Sequence, residues 1–162
     1  MINYDEIIKY VLDENIDALQ QEVNNGLIVN INSNTLFWIA ASQDKSLSIK
    51  FLFENSYDDD NEYLIRYTLL SAANYNGINV FKYIVETYKP ILTYNNNMLL
   101  YESAYYSDPS KLDVLNYLLT FNEVIKHIKY EDVKRNKNIE QLLIKKYNLK
   151  DANELKSFLE II

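Results

Sequence analysis

Thr35-Leu36-Phe37-Trp38-Ile39-Ala40-Ala41 is echoed by Tyr67-Thr68-Leu69-Leu70-Ser71-Ala72-Ala73 and, more weakly, by Met98-Leu99-Leu100-Tyr101-Glu102-Ser103-Ala104. The closing alanines, Ala41, Ala73 and Ala104, lie 32 and 31 positions apart. After each comes a polar gap and then an apolar run: Ile49 to Glu54, Val80 to Glu86 and Val114 to Leu119. Each unit therefore reads as a pair of short helices. The pattern has a packing cause. A small residue on the first helix lets a neighbouring backbone approach, while the second helix supplies branched and aromatic bulk at spacings of three and four. Neither helix buries its face alone, so such units are expected to stack into one continuous core.

The rest of the composition agrees. Of 162 residues, 48% are hydrophobic and 24% charged, the balance of an ordered soluble protein. Two glycines and two prolines are too few for the tight turns of a β-sandwich or for a phosphate-cradling loop. The 21 Asn, 18 Ile, 15 Tyr and 14 Lys are read as a background bias of the coding sequence. No apolar run approaches the ~18 residues of a membrane span. Asp5 and Glu6 stand where a signal peptide carries lysine, so the chain is expected to be soluble and cytoplasmic. The absence of cysteine excludes disulfides, a thiolate nucleophile and Cys-based zinc sites.

A period near 33, a first helix closing on Ala-Ala, a short polar link and a second helix of Val/Ile-x-Lys-Phe/Tyr-Leu/Ile type together resemble the ankyrin repeat. The resemblance implies an all-α solenoid of stacked helix-turn-helix repeats with terminal capping helices. Its expected divisions are a capping repeat over 1–30, repeats over 31–63, 64–95 and 96–126, and C-terminal capping helices over 127–162. In the first of these, Ile7 to Val11 and Asn15 to Val23 look like the two helices, with Gly26 as the left-handed cap. The repeats depart from the family: none carries the proline of its Thr-Pro-Leu-His opening, the histidine position holds Trp38, Leu70 and Tyr101, and the link glycine survives as Gly77. Projecting hairpins are expected over 55–66 and 87–97. Near the C-terminus, Tyr130 to Val133 reads as a short helix, Ile139, Leu142, Leu143 and Tyr147 share a helical face, and Asp151 with Glu154 forms a capping-box pair ahead of Leu155, Phe158, Leu159 and Ile162.

Catalytic patterns are missing. The one histidine, His127, reads as a helix-terminal surface residue, and a multi-histidine metal site is impossible. Asp58, Asp60 and Glu62 alternate like the first ligands of a calcium loop, but Tyr63 stands in the glycine position and Leu69 in that of the bidentate glutamate, so the run reads as a solvated acidic segment. Carboxylates adjacent in sequence, such as Asp13 and Glu14, point about 100° apart on a helix and do not form an acid/base pair. The eight Lys and Arg between Lys126 and Lys150 read as solvated helix surface. No cofactor and no metal are expected, and the chain reads as a non-enzyme.

Charge points to the partner. The formal −7 is uneven: residues 1–120 hold 16 acids and 7 bases, residues 121–162 hold 7 acids and 9 bases. An acidic surface repels phosphate backbones and attracts basic surfaces, so the expected partner is another protein with a basic surface, with no nucleic acid and no membrane. Tyrosine offers contact area at low entropic cost. In the ankyrin family partners meet the hairpin tips and the exposed side of the first helices. Carried over by position, this implicates Tyr57, Asp58, Asp59, Asp60, Glu62 and Tyr63 on one hairpin, Tyr94 on the next, and Asn74, Tyr75, Tyr105 and Tyr106 near first-helix ends. Phe51, Tyr83 and Tyr117 are expected nearer the core. The chain resembles small acidic inhibitors or immunity-type proteins that occlude a basic effector and are monomeric when free. It also resembles pathogen or viral ankyrin proteins that capture host factors. The rivals from other classes are a carboxylate-based hydrolase and a fragment of a larger assembly.

Overall fold

The computed structural model describes residues 3–29, 34–56, 61–105 and 112–161, and among these all helices and strands are α-helices. A lone parallel bridge joins Val29 to Ser56. The chain divides into two compact units, Met1–Pro90 and Ile91–Ile162.

The first unit contains α1 (Tyr4–Asp13), α2 (Ile16–Asn24), α3 (Asn34–Ser42), α4 (Ser46–Glu54), α5 (Asn61–Tyr75) and α6 (Ile78–Tyr88). They pair as hairpins α1–α2, α3–α4 and α5–α6; α3 packs between α1 and α5, and α4 packs against α2 and α6. First helices thus form one layer and second helices the other. Ile7, Phe37 and Leu69 are buried at matching positions of the three first helices, four residues before Val11, Ala41 and Ala73. Ala40, Ala41, Ala72 and Ala73 are fully buried, as the repeat predicts. Opposite them lie Ile49, Leu52, Val80, Phe81 and Ile84, and Phe37 meets Phe53 edge-on at 5.1 Å.

One turn closes all three hairpins. Glu14, Asp44 and Asn76, spaced 30 and 32 residues apart, take left-handed conformations at φ 52°, 56° and 59°. Each N–H reaches back three residues, and the following N–H reaches back five: Asn15 to Tyr10 at 2.9 Å, Lys45 to Ala40 at 2.7 Å and Gly77 to Ala72 at 2.8 Å. These paired bonds satisfy the last carbonyls of the first helix. The residue after the left-handed one then starts the second helix, with φ/ψ of −81°/81° at Asn15, −89°/80° at Lys45 and −73°/75° at Gly77.

The acidic residues at these left-handed positions have a second task. Glu14 Oε1 accepts from the Leu47 N–H at 2.8 Å, and Asp44 Oδ1 accepts from the Val80 N–H at 2.9 Å while its Oδ2 accepts from Asn79 Nδ2 at 2.7 Å. The N-cap residues of α4 and α6, Lys45 and Gly77, make no side-chain cap bond of their own. Each helix is therefore capped by a carboxylate from the preceding hairpin, and negative charge sits at its positive end. A left-handed non-glycine residue costs about 1–2 kcal/mol; a cap contributes about 0.5–2 kcal/mol. The two are comparable, which accounts for acids where asparagine or glycine is usual. Buried Ser48 adds a further tie, its Oγ donating to the Val11 carbonyl at 2.7 Å. Gly77 fills a tight place: a Cβ there would lie 2.5 Å from the Ala41 carbonyl oxygen and 3.5 Å from the Ala72 Cα. Space demands this glycine, since its φ is negative. At Gly26 the reason is conformational, with φ 102° and the Leu27 N–H closing on the Glu22 carbonyl at 2.8 Å.

The second unit comprises α7 (Tyr94–Tyr105), α8 (Asp113–Leu118), α9 (Asn122–Lys126), α10 (Tyr130–Val133), α11 (Lys137–Lys146) and α12 (Ala152–Leu159). α7 packs on α8, and α10, α11 and α12 pack on one another. Asn97 Nδ2 ties α7 to the Val124 carbonyl at 3.0 Å, and Asn138 Nδ2 ties α11 to the Ala104 carbonyl at 3.1 Å. Asp151 caps α12 by accepting from the Asn153 and Glu154 N–H groups. The expected reciprocal bond is displaced: Glu154 accepts from the Lys150 N–H at 2.8 Å, one residue ahead of the cap.

Two outcomes follow for stability. Gly77→Ala is expected to destabilise by roughly 1–3 kcal/mol in urea unfolding, because the added carbon meets backbone and forces a shift; Ala41→Leu and Ala73→Leu should cost a similar amount. Asp44→Ala should cost about 1–2 kcal/mol, and Asp44→Asn distinctly less, because the amide oxygen still accepts the Val80 N–H. Equal losses for the two Asp44 variants would show that charge, rather than the hydrogen bond, carries the cap.

Candidate functional site

Because the three hairpins share one turn, positions on α1, α3 and α5 can be compared by counting back from Glu14, Asp44 and Asn76. Three places before the left-handed residue the side chains are buried: Val11, Ala41 and Ala73. Six places before it stand Ile8, Trp38 and Leu70, none of them buried. Nine places before are Asp5, Thr35 and Tyr67; two before are Leu12, Ser42 and Asn74; one before are Asp13, Gln43 and Tyr75, all likewise accessible. The fold therefore lays an apolar row, Ile8, Trp38 and Leu70, across three helices. Trp38 is 39% exposed and Tyr75 is 53% exposed, and their rings meet edge-on at 5.9 Å across α3 and α5.

The charge around this row is lopsided. Residues 1–90 contain 13 acids and 6 bases, a formal −7 that equals the charge of the whole chain, whereas residues 91–162 contain 10 of each. α3 carries no charged residue. On α1, Asp5, Glu6 and Asp13 are exposed, and among the described residues none of them pairs with a basic side chain. On α5, Glu62 is engaged by Arg66 one turn on.

The sequence-predicted residues described in the first unit do not form one cluster. Tyr57, Asp58, Asp59, Asp60 and Tyr106 lie outside the described residues. Glu62 and Tyr63, expected on a projecting hairpin, belong to the first turn of α5, and Tyr94 is the first residue of α7; the hairpins expected over 55–66 and 87–97 are to that extent helix. The reason is local. Leu64 is fully buried, Thr68 Oγ1 bonds the Leu64 carbonyl, Glu62 pairs with Arg66, and Tyr63 stacks on Tyr67 at 6.2 Å, all at a spacing of four that only a helix supplies. Asn74 and Tyr75 lie at the opposite end of α5, about 18 Å from Tyr63 at 1.5 Å per residue. Tyr105 ends α7 and is 76% exposed. Phe51 is buried, as expected, while Tyr83 and Tyr117 are only partly so. Sequence reasoning missed Trp38, Leu70, Ile8 and Leu12 as surface residues. The signal was present, since aligning Ala41 with Ala73 already superposes Trp38 on Leu70.

Several ionisable groups of the second unit have identifiable local partners. His127 caps the end of α9 on the surface, its Nδ1 2.7 Å from the Glu123 carbonyl oxygen. Glu140 is buried and pairs with exposed Lys137. Burial pushes the Glu102 carboxyl up. Burial, reinforced by the charge of Asp132 and a hydrogen bond to it, pushes the Tyr101 hydroxyl up to about 12 from the ordinary 10.0. No cluster of His, Cys, Asp and Glu suited to a metal ion occurs among the described residues, and no helix there is long and apolar enough to cross a membrane.

The sign for Tyr101 is fixed by this direction. A folded-state value above the unfolded one favours the neutral phenol, so its contribution is intact below pH 10 and is lost as pH rises through about 12. Tyrosinate absorbance should show a late phase near pH 12 whose amplitude Tyr101→Phe lowers by one tyrosine, the remainder coming from other tyrosines that burial also pushes up, such as Tyr88. Comparison of the chain with protein-family models, with curated proteins and with solved structures gives no match.

Proposed function

We propose that this chain is a non-catalytic protein-interaction module, an ankyrin-like stack of helical hairpins that covers a basic surface on another protein. The observation that carries the reading is the accessible row Ile8, Trp38 and Leu70, with Tyr75 beside it, on a segment that holds the entire net charge of −7. Large aromatic and aliphatic side chains held on a rigid scaffold supply contact energy, and acids around them steer a basic partner.

The ankyrin-like part of the reading is supported by hairpin turns 30 and 32 residues apart, by alanines at the closest approaches, and by the layering of first helices on first helices and second on second. The turns that would form the family's projecting tips, 30–33 and 57–60, lie outside the described residues. An effector protein with a basic active surface, occluded by a monomer of this chain, fits the charge best.

Affinity purification from the native source is expected to recover a basic protein, with association slowing about tenfold or more between low and high salt as the charges are screened. Replacing Asp58, Asp59 and Asp60 together with Asn should lower the on-rate more than it raises the off-rate. Recovery of an acidic protein or a nucleic acid, or unchanged binding by the triple variant at low salt, would contradict the electrostatic reading. Turnover of a partner by the purified chain would contradict the non-catalytic one.

A further inference from the structure

Resting on that reading, we propose that the row Ile8, Trp38 and Leu70 seats one continuous segment of the partner in a fixed direction. Its apolar side chains lie on Trp38, Leu70 and Tyr75, and its lysine or arginine side chains lie over Asp5 and Asp13 at the α1 end.

Three observations set the direction. The row is apolar at every helix it crosses, and its central helix, α3, contains no charged residue, so the middle of the site gains nothing from a charged ligand and loses by desolvating one. The acids lie at one end. Asp5 lies one turn before Ile8 on α1 and Asp13 ends the helix, and among the described residues no basic side chain, Lys9 between them included, forms an ion pair with either. At the α5 end, Glu62 is already paired with Arg66 and Tyr75 packs against Trp38, which leaves an aromatic and neutral end. Charge complementarity therefore selects a segment that is basic at one end and apolar at the other. It disfavours a second copy of this chain, whose first unit bears the same −7, and it disfavours an anionic lipid surface. Adjacent helices lie about 8–10 Å apart, so α1 to α5 spans roughly 16–20 Å. An extended segment of about six residues crosses that distance, as does a helical one of about twelve.

Trp38 is the single tryptophan of the chain, so its emission reports on the site directly in the full-length protein. The probes are two synthetic peptides about twelve residues long, of identical composition and free of Trp and Tyr. One carries arginines in one half and leucines in the other, and the second alternates them. The blocked peptide is expected to shift Trp38 emission to the blue with saturation, and to bind at least ~tenfold more tightly than the alternating one. Asp5→Asn combined with Asp13→Asn should weaken the blocked peptide by a similar factor and flatten its salt dependence. Both aspartates are exposed, so this variant keeps the fold and does not share the risk carried by Leu70→Ser, the apolar counterpart. Equal affinity for the two orderings, full binding by the double variant, or a blue shift with phosphatidylserine vesicles or with protein concentration alone would overturn the proposal. A natural partner that binds the protein yet leaves Trp38 open to acrylamide quenching would overturn it while the interaction reading stands. Absence of any protein partner would overturn both.

Discussion

The contact on which the first unit depends is the approach of Gly77 to the carbonyl of Ala41. Carbon cannot be added at residue 77 without meeting that oxygen at 2.5 Å, so the third hairpin's turn is set against the end of α3 at backbone distance. That closeness brings the Asp44 carboxylate within reach of the Val80 N–H; one hairpin earlier, where Lys45 stands in the place of Gly77, Glu14 reaches the Leu47 N–H. Each hairpin then supplies what the next lacks: the cap of its second helix. Interfaces of this kind couple neighbours in series, and the stability of an array becomes a sum of unit and interface contributions. The register of the outward row follows from the same turns, because positions on α1, α3 and α5 are comparable only while the turns are identical.

How much of this the sequence discloses varies with the physics involved. Burial was legible. Ala41 and Ala73 lie in the core where the repeat places them, and Gly26 adopts the left-handed cap its position implies. Periodicity reads side-chain volume well because volume decides which residues can face a neighbour. The turns were not legible, since Glu14, Asp44 and Asn76 differ in chemistry and share only a backbone conformation. Glutamate in a left-handed position has no local explanation; its partner, the Leu47 N–H, is 33 residues away. Gly77 was visible as a link residue, and it is space rather than φ that demands it. Within the hairpin expected over 55–66, residues 61–66 belong to α5, where Leu64 is completely buried, and 57–60 lie outside the described residues.

The second unit solves the same problem by other means. Side-chain amides replace the repeated turn: Asn97 and Asn138 each donate to a backbone carbonyl of another helix, and Asn136 and Asp151 cap their own helices. Asn97 is fully buried at φ 63° within the first turn of α7, with Asn95 at 49° close by. Asparagine tolerates that region better than most residues, and the bond to Val124 gives the strain a counterpart. Helices of four to six residues, such as α8, α9 and α10, gain little from propensity alone and depend on tertiary contacts. The periodic code that organises the first unit has no purchase there.

These differences bear on how a binding surface can be built. A row of side chains placed by backbone register on packed helices is spaced before any partner arrives, and Trp38 rests edge-on against Tyr75. Ordering an interface on binding costs roughly 0.5–1.5 kcal/mol for each mobile side chain. An anchor already fixed avoids most of that loss, so its buried area converts to affinity more efficiently than that of an equally large side chain on a loop. The acids on α1 contribute differently. Being exposed and solvated, each would add only modestly to the bound state, and together they would act at a distance on encounter and orientation. In the proposed complex the division of labour would fall along the helices themselves, with attraction and alignment from α1 and retention from α3 and α5.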